Sequence, residues 1–155
     1  QLKPAPLDVV TFCRDLAREV GTATKERNPI DVAAPHDLGT ISIDSALLRS
    51  VLINLLTNAV KYSPASRPVE FTLLCTGAEL VFRIRDGGIG IPAADLPHLG
   101  EPFHRGANVG EAPGTGLGLA IVKRCCALLG GKFALESQEG RGSTATITLP
   151  ASPKA

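Results

Sequence analysis

Residues 44–86 hold the feature that most restricts the fold of this chain, a long helix pattern followed at once by two strand patterns. The segment DSALLRSVLINLLTNAVKYS begins with Asp44 in a position suited to a helix N-cap and keeps apolar side chains at helical spacing as far as Lys61. PVEFTLLCT and ELVFRIRD follow, rich in branched apolar residues and separated by Gly-Ala. They predict two antiparallel strands joined by a tight turn.

Patterns on either side of this region complete the expected elements. PLDVVTFCRDLAREVGTATKE predicts an amphipathic helix with Pro6 in its first turn, and PIDVAAP and TISI predict short extended segments. A third helix is expected from Leu117 to about Leu129, ended by Gly130 and Gly131, before two strands in KFALESQ and STATITLP. We therefore expect an α/β fold, a two-layer sandwich in which three helices cover one face of a mixed, mostly antiparallel sheet.

Length and composition narrow the class of protein. The 155 residues suit one domain, so we expect residues 1–155 to form a single unit with its core at about 5–150. A net charge of +1 and a single Tyr with no Trp favour neither a basic surface nor base stacking, so no nucleic-acid partner is expected. The absence of a signal peptide or long apolar span predicts a cytoplasmic domain without direct membrane contact.

The cysteines show no metal-binding spacing. Neither a CxxC motif nor a nearby histidine pair accompanies them, and two are adjacent within the predicted third helix. We therefore expect reduced thiols in the core at all four positions, Cys13, Cys75, Cys125 and Cys126.

One edge of the long central helix is polar. Asn54, Asn58 and Lys61 are spaced by four and three residues, which places them in one narrow stripe beside the apolar face. Two carboxamides and an ammonium group suit a polyphosphate bound together with a metal ion. Taken alone, the stripe is explained more simply as a solvated helix face, so the hypothesis of a polyphosphate site needs support from a second sequence feature.

The end of the second hairpin strand, RIRDGGIGIP, supplies this second feature. An ionised Asp86 accepts hydrogen bonds only, and therefore suits an exocyclic amine such as that of adenine. Gly88 and Gly90 allow a flat ring to approach the backbone. An aspartate that starts a glycine turn produces the same sequence, so both interpretations stay open.

A glycine-rich region of about thirty residues follows, longer than an ordinary connection and typical of a functional lid or a disordered segment. It ends in PGTGLGLAIVKR, where Gly114, Gly116 and Gly118 alternate before the third helix. Backbone N–H groups at that helix start attract anions, so we expect nucleotide phosphates there. No P-loop string occurs, and the GxGxxA match beginning at Gly88 lacks a βαβ unit and has Pro92 at the required helix start.

Four segments, LINLLTNAVKYS, DGGIGIP, EPFHRG and GTGLGLAIVK, occur in the order and spacing of the N box, first glycine box, F box and second glycine box of the sensor histidine kinases. The chain resembles the catalytic and ATP-binding domain of that family, most specifically over about residues 45–149. The resemblance implies the Bergerat ATP-binding fold, with ATP and Mg²⁺ as cofactors. The residues it assigns to nucleotide binding are Asn58, Lys61, Tyr62, Asp86, Gly88, Gly90, Phe103, Gly114, Thr115, Gly116, Leu117 and Gly118.

The same resemblance distributes the catalytic roles. Asn58 would ligate Mg²⁺ with support from Asn54, while Lys61 and Arg105 would reach the phosphates. Tyr62 would lie near the nucleoside, and Asp86 would bind the adenine amine. The related ATPases place a water-activating glutamate where this chain has Asn54. Because a carboxamide takes no proton at neutral pH, we expect slow ATP hydrolysis and transfer to a nucleophile from outside the chain.

For a histidine kinase that nucleophile is a histidine on a separate helical domain. None of His36, His98 and His104 lies in a helix with the sequence pattern of a phosphoacceptor. The expected partners are therefore the dimerisation and phosphoacceptor domain of the same parent protein and the receiver domain of a response regulator. The start QLKPAPLDVV, which enters a helix directly, suggests a piece of a longer sensor kinase.

Three positions depart from the family pattern. Gly87 stands where the family usually has asparagine, Gly100 where the F box usually has its first aromatic residue, and His104 where tyrosine is common. Gly87 and Gly100 keep a second hypothesis open, a nucleotide-sensing or partner-docking module on the same fold with impaired phosphotransfer. Because Asn58, Asp86 and the second glycine box are intact, we still expect nucleotide binding.

Overall fold

A computed structural model describes residues 2–35, 38–89, 118–138 and 140–151. Within these ranges the chain forms three helices and seven strands, and no helix among them is long and apolar enough to cross a membrane. In chain order the elements are β1 (Ala5–Asp8), α1 (Val9–Ala23), β2 (Ile30–Ala33), β3 (Thr40–Ile43), α2 (Ser45–Tyr62), β4 (Val69–Thr76), β5 (Glu79–Asp86), α3 (Gly118–Leu128), β6 (Lys132–Gln138) and β7 (Gly142–Pro150).

The predicted hairpin lies at the centre of the main sheet. β4 and β5 pair antiparallel from Glu70 opposite Arg85 to Thr76 opposite Glu79, and Gly77 adopts a φ of 58° in the turn between them. The five-stranded sheet has the order β2-β4-β5-β7-β6, in which β2 is parallel to β4 and the other neighbours are antiparallel. The prediction of a mixed, mostly antiparallel sheet with three helices is confirmed.

The core lies on one face of this sheet, against the helices. Alternate side chains are buried from Val69 to Leu73 in β4, from Leu80 to Ile84 in β5 and from Ala145 to Leu149 in β7, as expected for a sheet covered on one side. On the opposite face, Leu74 is 40% exposed and Arg83 is also exposed. The apolar side of α2 completes the core with residues that are at most 4% exposed, namely Leu48, Val51, Leu52, Leu55, Leu56, Ala59 and Val60.

The first helix begins later than the sequence predicts. Ala5–Asp8 pairs with Thr40–Ile43 in a separate antiparallel ribbon, so Pro6 lies in β1 and not in the first turn of α1. Proline is tolerated in such a short outer strand because it lacks the N–H that a central strand would need. The helix starts after Asp8, whose carboxylate accepts a hydrogen bond from the Thr11 N–H at 3.1 Å.

Asp44 caps α2 as predicted. Its Oδ1 accepts hydrogen bonds from the backbone N–H groups of Ala46 at 3.1 Å and Leu47 at 3.2 Å, and its Oδ2 accepts one from Lys3 N–H at 2.9 Å. The hydrogen bond from Lys3, followed by those from Leu47 and Ala46, lowers the pKa of this carboxyl despite its partial desolvation. The helix that carries the polar stripe therefore begins at a well-defined residue.

The connection between α2 and β4 is held by a buried side chain that the sequence analysis does not single out. Asn28, 1% exposed, donates from its Nδ2 to the carbonyl oxygens of Pro64 and Arg67, both at 2.8 Å. Its Oδ1 accepts a hydrogen bond from Arg27 Nη1 at 3.2 Å, and Ser66 N–H donates to the Arg27 carbonyl at 2.9 Å. Asn28 thus fixes the loop that follows the C-terminus of α2.

Three of the four cysteines occupy the predicted core positions, and the fourth does not. Cys13, Cys125 and Cys126 are buried free thiols, and burial raises the pKa of Cys13 to about 12. Cys75 is exposed, which corrects the expectation of a core position. It lies near the end of β4, beyond the part of that strand whose alternate side chains are buried.

We predict that Asn28→Ala lowers the free energy of unfolding by about 1–3 kcal/mol, because two buried carbonyl groups lose their hydrogen-bond donor. Urea denaturation of the variant and the wild type measures the difference. A change below about 0.5 kcal/mol, the usual range for an exposed surface substitution, would contradict the tethering role.

Candidate functional site

The polar stripe of the sequence analysis lies along one edge of α2. Asn54 and Asn58 are half-buried, and Lys61 is exposed one turn later near the end of the helix. Asn54 Nδ2 donates to the Ser50 carbonyl oxygen at 2.6 Å, which uses one of its two amide donors. Lys61 Nζ lies 5.7 Å from the centre of the Tyr62 ring, within the range of a cation–π interaction.

Asp86 is the last residue of β5, as predicted, and its carboxylate turns back onto the following backbone. Its Oδ1 accepts a hydrogen bond from the Gly88 N–H at 2.8 Å. Burial raises the pKa of Asp86, and backbone N–H groups of Gly88 and Ser143 partly oppose that shift. The glycine-turn interpretation is therefore realised, but an ionised carboxylate has about four acceptor positions, so this bond leaves capacity for a ligand amine.

The end of α2 and the end of β5 meet at Gly88. A Cβ at this residue would collide with the carbonyl oxygen of Tyr62 and would lie 2.9 Å from Asp86 Oδ1, so only glycine fits. The next residue, Ile89, donates its N–H to the same Tyr62 carbonyl at 3.3 Å. This junction places the C-terminal end of α2, where Lys61 and Tyr62 lie, beside the residues that follow Asp86.

The last strand contributes a neighbour of Asp86 that the sequence analysis misses. Ser143 of β7 lies directly opposite Asp86 in the antiparallel ladder, and its hydroxyl is 2.8 Å from the Ser137 hydroxyl. The preceding Gly142 has a φ of 101°, and a Cβ there would collide with the Asp86 carbonyl oxygen. The glycine pair in EGRGS, Gly140 just before β7 and Gly142 as its first residue, is the sequence feature that could have indicated this close backbone approach.

The remaining predicted positions divide into two groups. Gly118 is the first residue of α3, at the helix start where phosphates are expected. The second group lies outside the described residues and consists of Gly90, Phe103, Arg105, Gly114, Thr115, Gly116 and Leu117. The F-box positions Gly100 and His104 also lie outside them.

The residues present fit a magnesium ion held largely by a nucleotide and not by the protein alone. Among the described residues no group of three or more His, Cys, Asp and Glu side chains is arranged to hold a metal ion. Mg²⁺ commonly takes few protein ligands and completes its shell with substrate phosphates and water. The carboxamide oxygen of Asn58 is a suitable single ligand of this type.

A cavity of about 310 Å³ opens elsewhere, between α1 and β2. Its walls include Arg14, Arg18 and Glu26, with Ile30 and Val32 on the strand side. Asn28, which holds the loop after α2, also lines this cavity. None of the predicted site residues within the described ranges does.

Comparison with known proteins identifies the family. Residues 43–153 match the family described as histidine kinase-, DNA gyrase B-, and HSP90-like ATPase, and the chain belongs to that family. Among its relatives, the sensor histidine kinase WalK of Bacillus subtilis is 40% identical over 71% of this chain. The aerobic respiration control sensor protein ArcB of Escherichia coli is 31% identical over 97% of it. The chain spans only about a fifth of the length of either relative, 19% of WalK and 20% of ArcB.

Solved structures agree with this assignment. Full-length ShkA in complex with AMPPNP is 30% identical with a TM-score of 0.86, and the match covers 100% of this chain and 32% of that one. The mycobacterial sensor histidine kinase MprB is 27% identical with a TM-score of 0.83, covering 97% of this chain and 100% of that one. The predicted Bergerat ATP-binding fold is thereby confirmed.

We predict that Asp86→Asn raises the free energy of unfolding at neutral pH. Burial raises the pKa of Asp86 in the folded protein above its value in the unfolded chain. Stability is therefore lost as the pH rises from the unfolded pKa to the folded pKa, and above the folded pKa the loss is complete. Asparagine keeps an oxygen for the Gly88 N–H without a buried charge.

The gain should therefore be complete above the folded-state pKa and should vanish below the unfolded value of about 3.9. Urea denaturation across this pH range tests it, with Asp31→Asn on the exposed side of β2 as the matched control. A gain that increases as the pH falls, or one equal to that of the control, would contradict the argument.

Proposed function

We propose that residues 1–155 are the catalytic and ATP-binding domain of a sensor histidine kinase, which binds Mg-ATP and donates its γ-phosphoryl group to a histidine on a separate domain. The observation that carries the proposal is the junction at Gly88, which joins a partly buried carboxylate to the end of a helix bearing carboxamide and ammonium groups. Membership of the family and the likeness to ShkA, solved with AMPPNP, support it.

Asp86 would recognise the adenine base. Its ionised carboxylate accepts a hydrogen bond from the exocyclic amine of adenine, whereas guanine presents a carbonyl oxygen at the corresponding position, which an acceptor repels. The bond from Gly88 N–H fixes the carboxylate before the nucleotide arrives. We assign Gly88 and Gly90 to the lining of the base pocket. The space that a Gly88 side chain would need is taken by the Tyr62 carbonyl oxygen, so Gly88 contributes its backbone.

The stripe on α2 would hold the metal and phosphate end. Asn58 supplies an oxygen ligand to Mg²⁺ with Asn54 in support, while Lys61 places a positive charge near the phosphates. When bound, the ion neutralises charge that develops on the transferring phosphoryl group. We assign Arg105 to the γ-phosphate and Phe103, Gly114, Thr115, Gly116, Leu117 and Gly118 to closure over the nucleotide.

The transfer itself would need a partner domain. A neutral imidazole nitrogen attacks the γ-phosphorus, the bond to the β,γ-bridging oxygen breaks, and ADP leaves while the imidazole loses its proton to solvent. Asn54 lacks a carboxylate to activate water, so hydrolysis by the domain alone would be slow. The acceptor is the dimerisation domain of the same parent protein, and a response-regulator receiver domain takes the phosphoryl group next.

Calorimetric titration with ADP and with AMPPNP, with and without Mg²⁺, tests the proposal, and GTP serves as the specificity control. We expect binding that is selective for adenine and stronger for AMPPNP when Mg²⁺ is present. Failure to bind either nucleotide would contradict the proposal. Binding without phosphoryl transfer to the parent's dimerisation domain would support the alternative, a nucleotide-sensing or docking module, for which Gly87 and Gly100 are the motivating residues.

We predict that Asn58→Ala weakens AMPPNP binding more in the presence of Mg²⁺ than in its absence, because the substitution removes an ion ligand. A loss of about tenfold, or 1.4 kcal/mol, is expected with Mg²⁺. Thr57→Ala is the matched control, since the Thr57 hydroxyl bonds to the Ile53 carbonyl within the same helix. Equal losses with and without Mg²⁺ would remove Asn58 from the metal site.

We further predict that Asp86→Asn weakens ATP binding by about tenfold or more, because an acceptor for the adenine amine becomes partly a donor. The ratio of ATP to GTP affinity, measured by the same titration, should fall in parallel. Unchanged affinity and selectivity would exclude Asp86 from base recognition.

A further inference from the structure

The side chain of Arg67 lies over Gly87, the residue between the candidate base-binding carboxylate and the junction glycine. A Cβ at Gly87 would collide with Arg67 Cδ, lie 2.7 Å from its Nη1 and lie 3.4 Å from its Cγ. Real Cβ atoms essentially never approach another atom within 3.0 Å. Arg67 therefore occupies the space that a side chain at position 87 would need.

Arg67 can take this position because its backbone is held on both sides of the Cα atom. Its carbonyl oxygen accepts the hydrogen bond from buried Asn28 at 2.8 Å, and its N–H donates to the Pro64 carbonyl at 3.2 Å. These bonds involve main-chain atoms of Arg67, so they persist when its side chain is replaced. The exposed side chain thus extends over Gly87 from a main chain that is hydrogen-bonded at both its N–H and its carbonyl group.

The segment after β5 is consequently contacted at three successive residues, by the end of α2 and by the loop that follows α2. The Tyr62 carbonyl at the end of α2 contacts Gly88 and Ile89, while the Arg67 side chain contacts Gly87. Gly88 also donates the hydrogen bond that holds Asp86 Oδ1. Displacement of this segment would therefore move both the carboxylate and the backbone beside it.

We propose that Arg67 is a positioning residue that clamps the Gly87–Gly88 segment and so holds the Asp86 carboxylate for its ligand. The packing of its methylene stem on Gly87 performs this role, and a side chain at position 87 excludes it. The consequence for a nucleotide rests on the proposed function of the site. The clamp itself is a property of the protein without ligand.

The test is a double-mutant cycle of Arg67→Ala, Gly87→Ala and the double variant. Alanine is permitted at position 87 because the backbone there does not adopt a positive φ. In the wild-type background the new methyl group displaces the Arg67 stem. In the Arg67→Ala background it fills part of the space that the stem leaves, so the second substitution should repair the first.

The first measurement is amide hydrogen exchange of Gly88 and Ile89 without nucleotide. We expect exchange about tenfold faster in either single variant and within about threefold of wild type in the double variant. Arg67→Met keeps the unbranched stem without the guanidinium and should exchange like wild type. Arg83→Ala, which removes an exposed arginine from β5, is the matched control and should also match wild type.

The second measurement is the affinity for AMPPNP and for GTP. Each single variant should lose about tenfold in AMPPNP affinity and reduce the adenine preference, and the double variant should recover most of both. A role confined to overall stability would leave the base preference unchanged.

Additive effects in the exchange cycle, or exchange in Arg67→Met as fast as in Arg67→Ala, would overturn the proposal. If exchange is repaired in the double variant but the wild-type protein binds no nucleotide, the clamp is supported and the proposed function is contradicted. Nucleotide binding with no effect of Arg67→Ala on exchange or selectivity would do the reverse.

Discussion

The contact between the Tyr62 carbonyl and the backbone of Gly88 and Ile89 is the constraint on which the rest of the site depends. The last carbonyl groups of a helix have no partner within it and must be satisfied from outside. Here the segment that follows β5 supplies one with the Ile89 N–H, and the absence of a side chain at Gly88 allows the approach. One backbone contact thus joins a helix bearing amide and ammonium groups to a strand ending in a carboxylate.

The sheet explains why that carboxylate is only partly exposed. β5 contributes Leu80, Phe82 and Ile84 to the core on alternate positions, and Asp86 continues the same alternation at the edge of the apolar layer. A group at that edge is desolvated enough for its pKa to rise, yet lies where a ligand can reach it. Such a position lowers stability at neutral pH, a cost that functional sites commonly carry.

Elements with a repeating residue pattern could be predicted from the sequence. Features that depend on one contact between residues far apart in the chain could not. Helical periodicity with the Asp44 cap identified α2, and the apolar strand patterns around Gly77 identified the hairpin. The strand at Ala5–Asp8 has only four residues, too few for a period, and its partner lies more than thirty residues away. Asn28 and Arg67 act through contacts across the fold, so neither left a local signal. The place of Asp86 at the end of β5 could be predicted because a charge at a strand end beside glycines is itself local information, while its role in base binding stays a prediction.

The most direct test of the account is a two-dimensional ¹H–¹⁵N correlation spectrum of the labelled protein, recorded as Mg²⁺ and AMPPNP are added. The account predicts that the backbone amides of Gly88 and Ile89 and the side-chain amide of Asn58 move most, while amides around the cavity between α1 and β2 stay in place. Perturbations confined to that cavity, or a spectrum that does not change at saturating nucleotide, would contradict the claim that the α2–β5 junction is a nucleotide site.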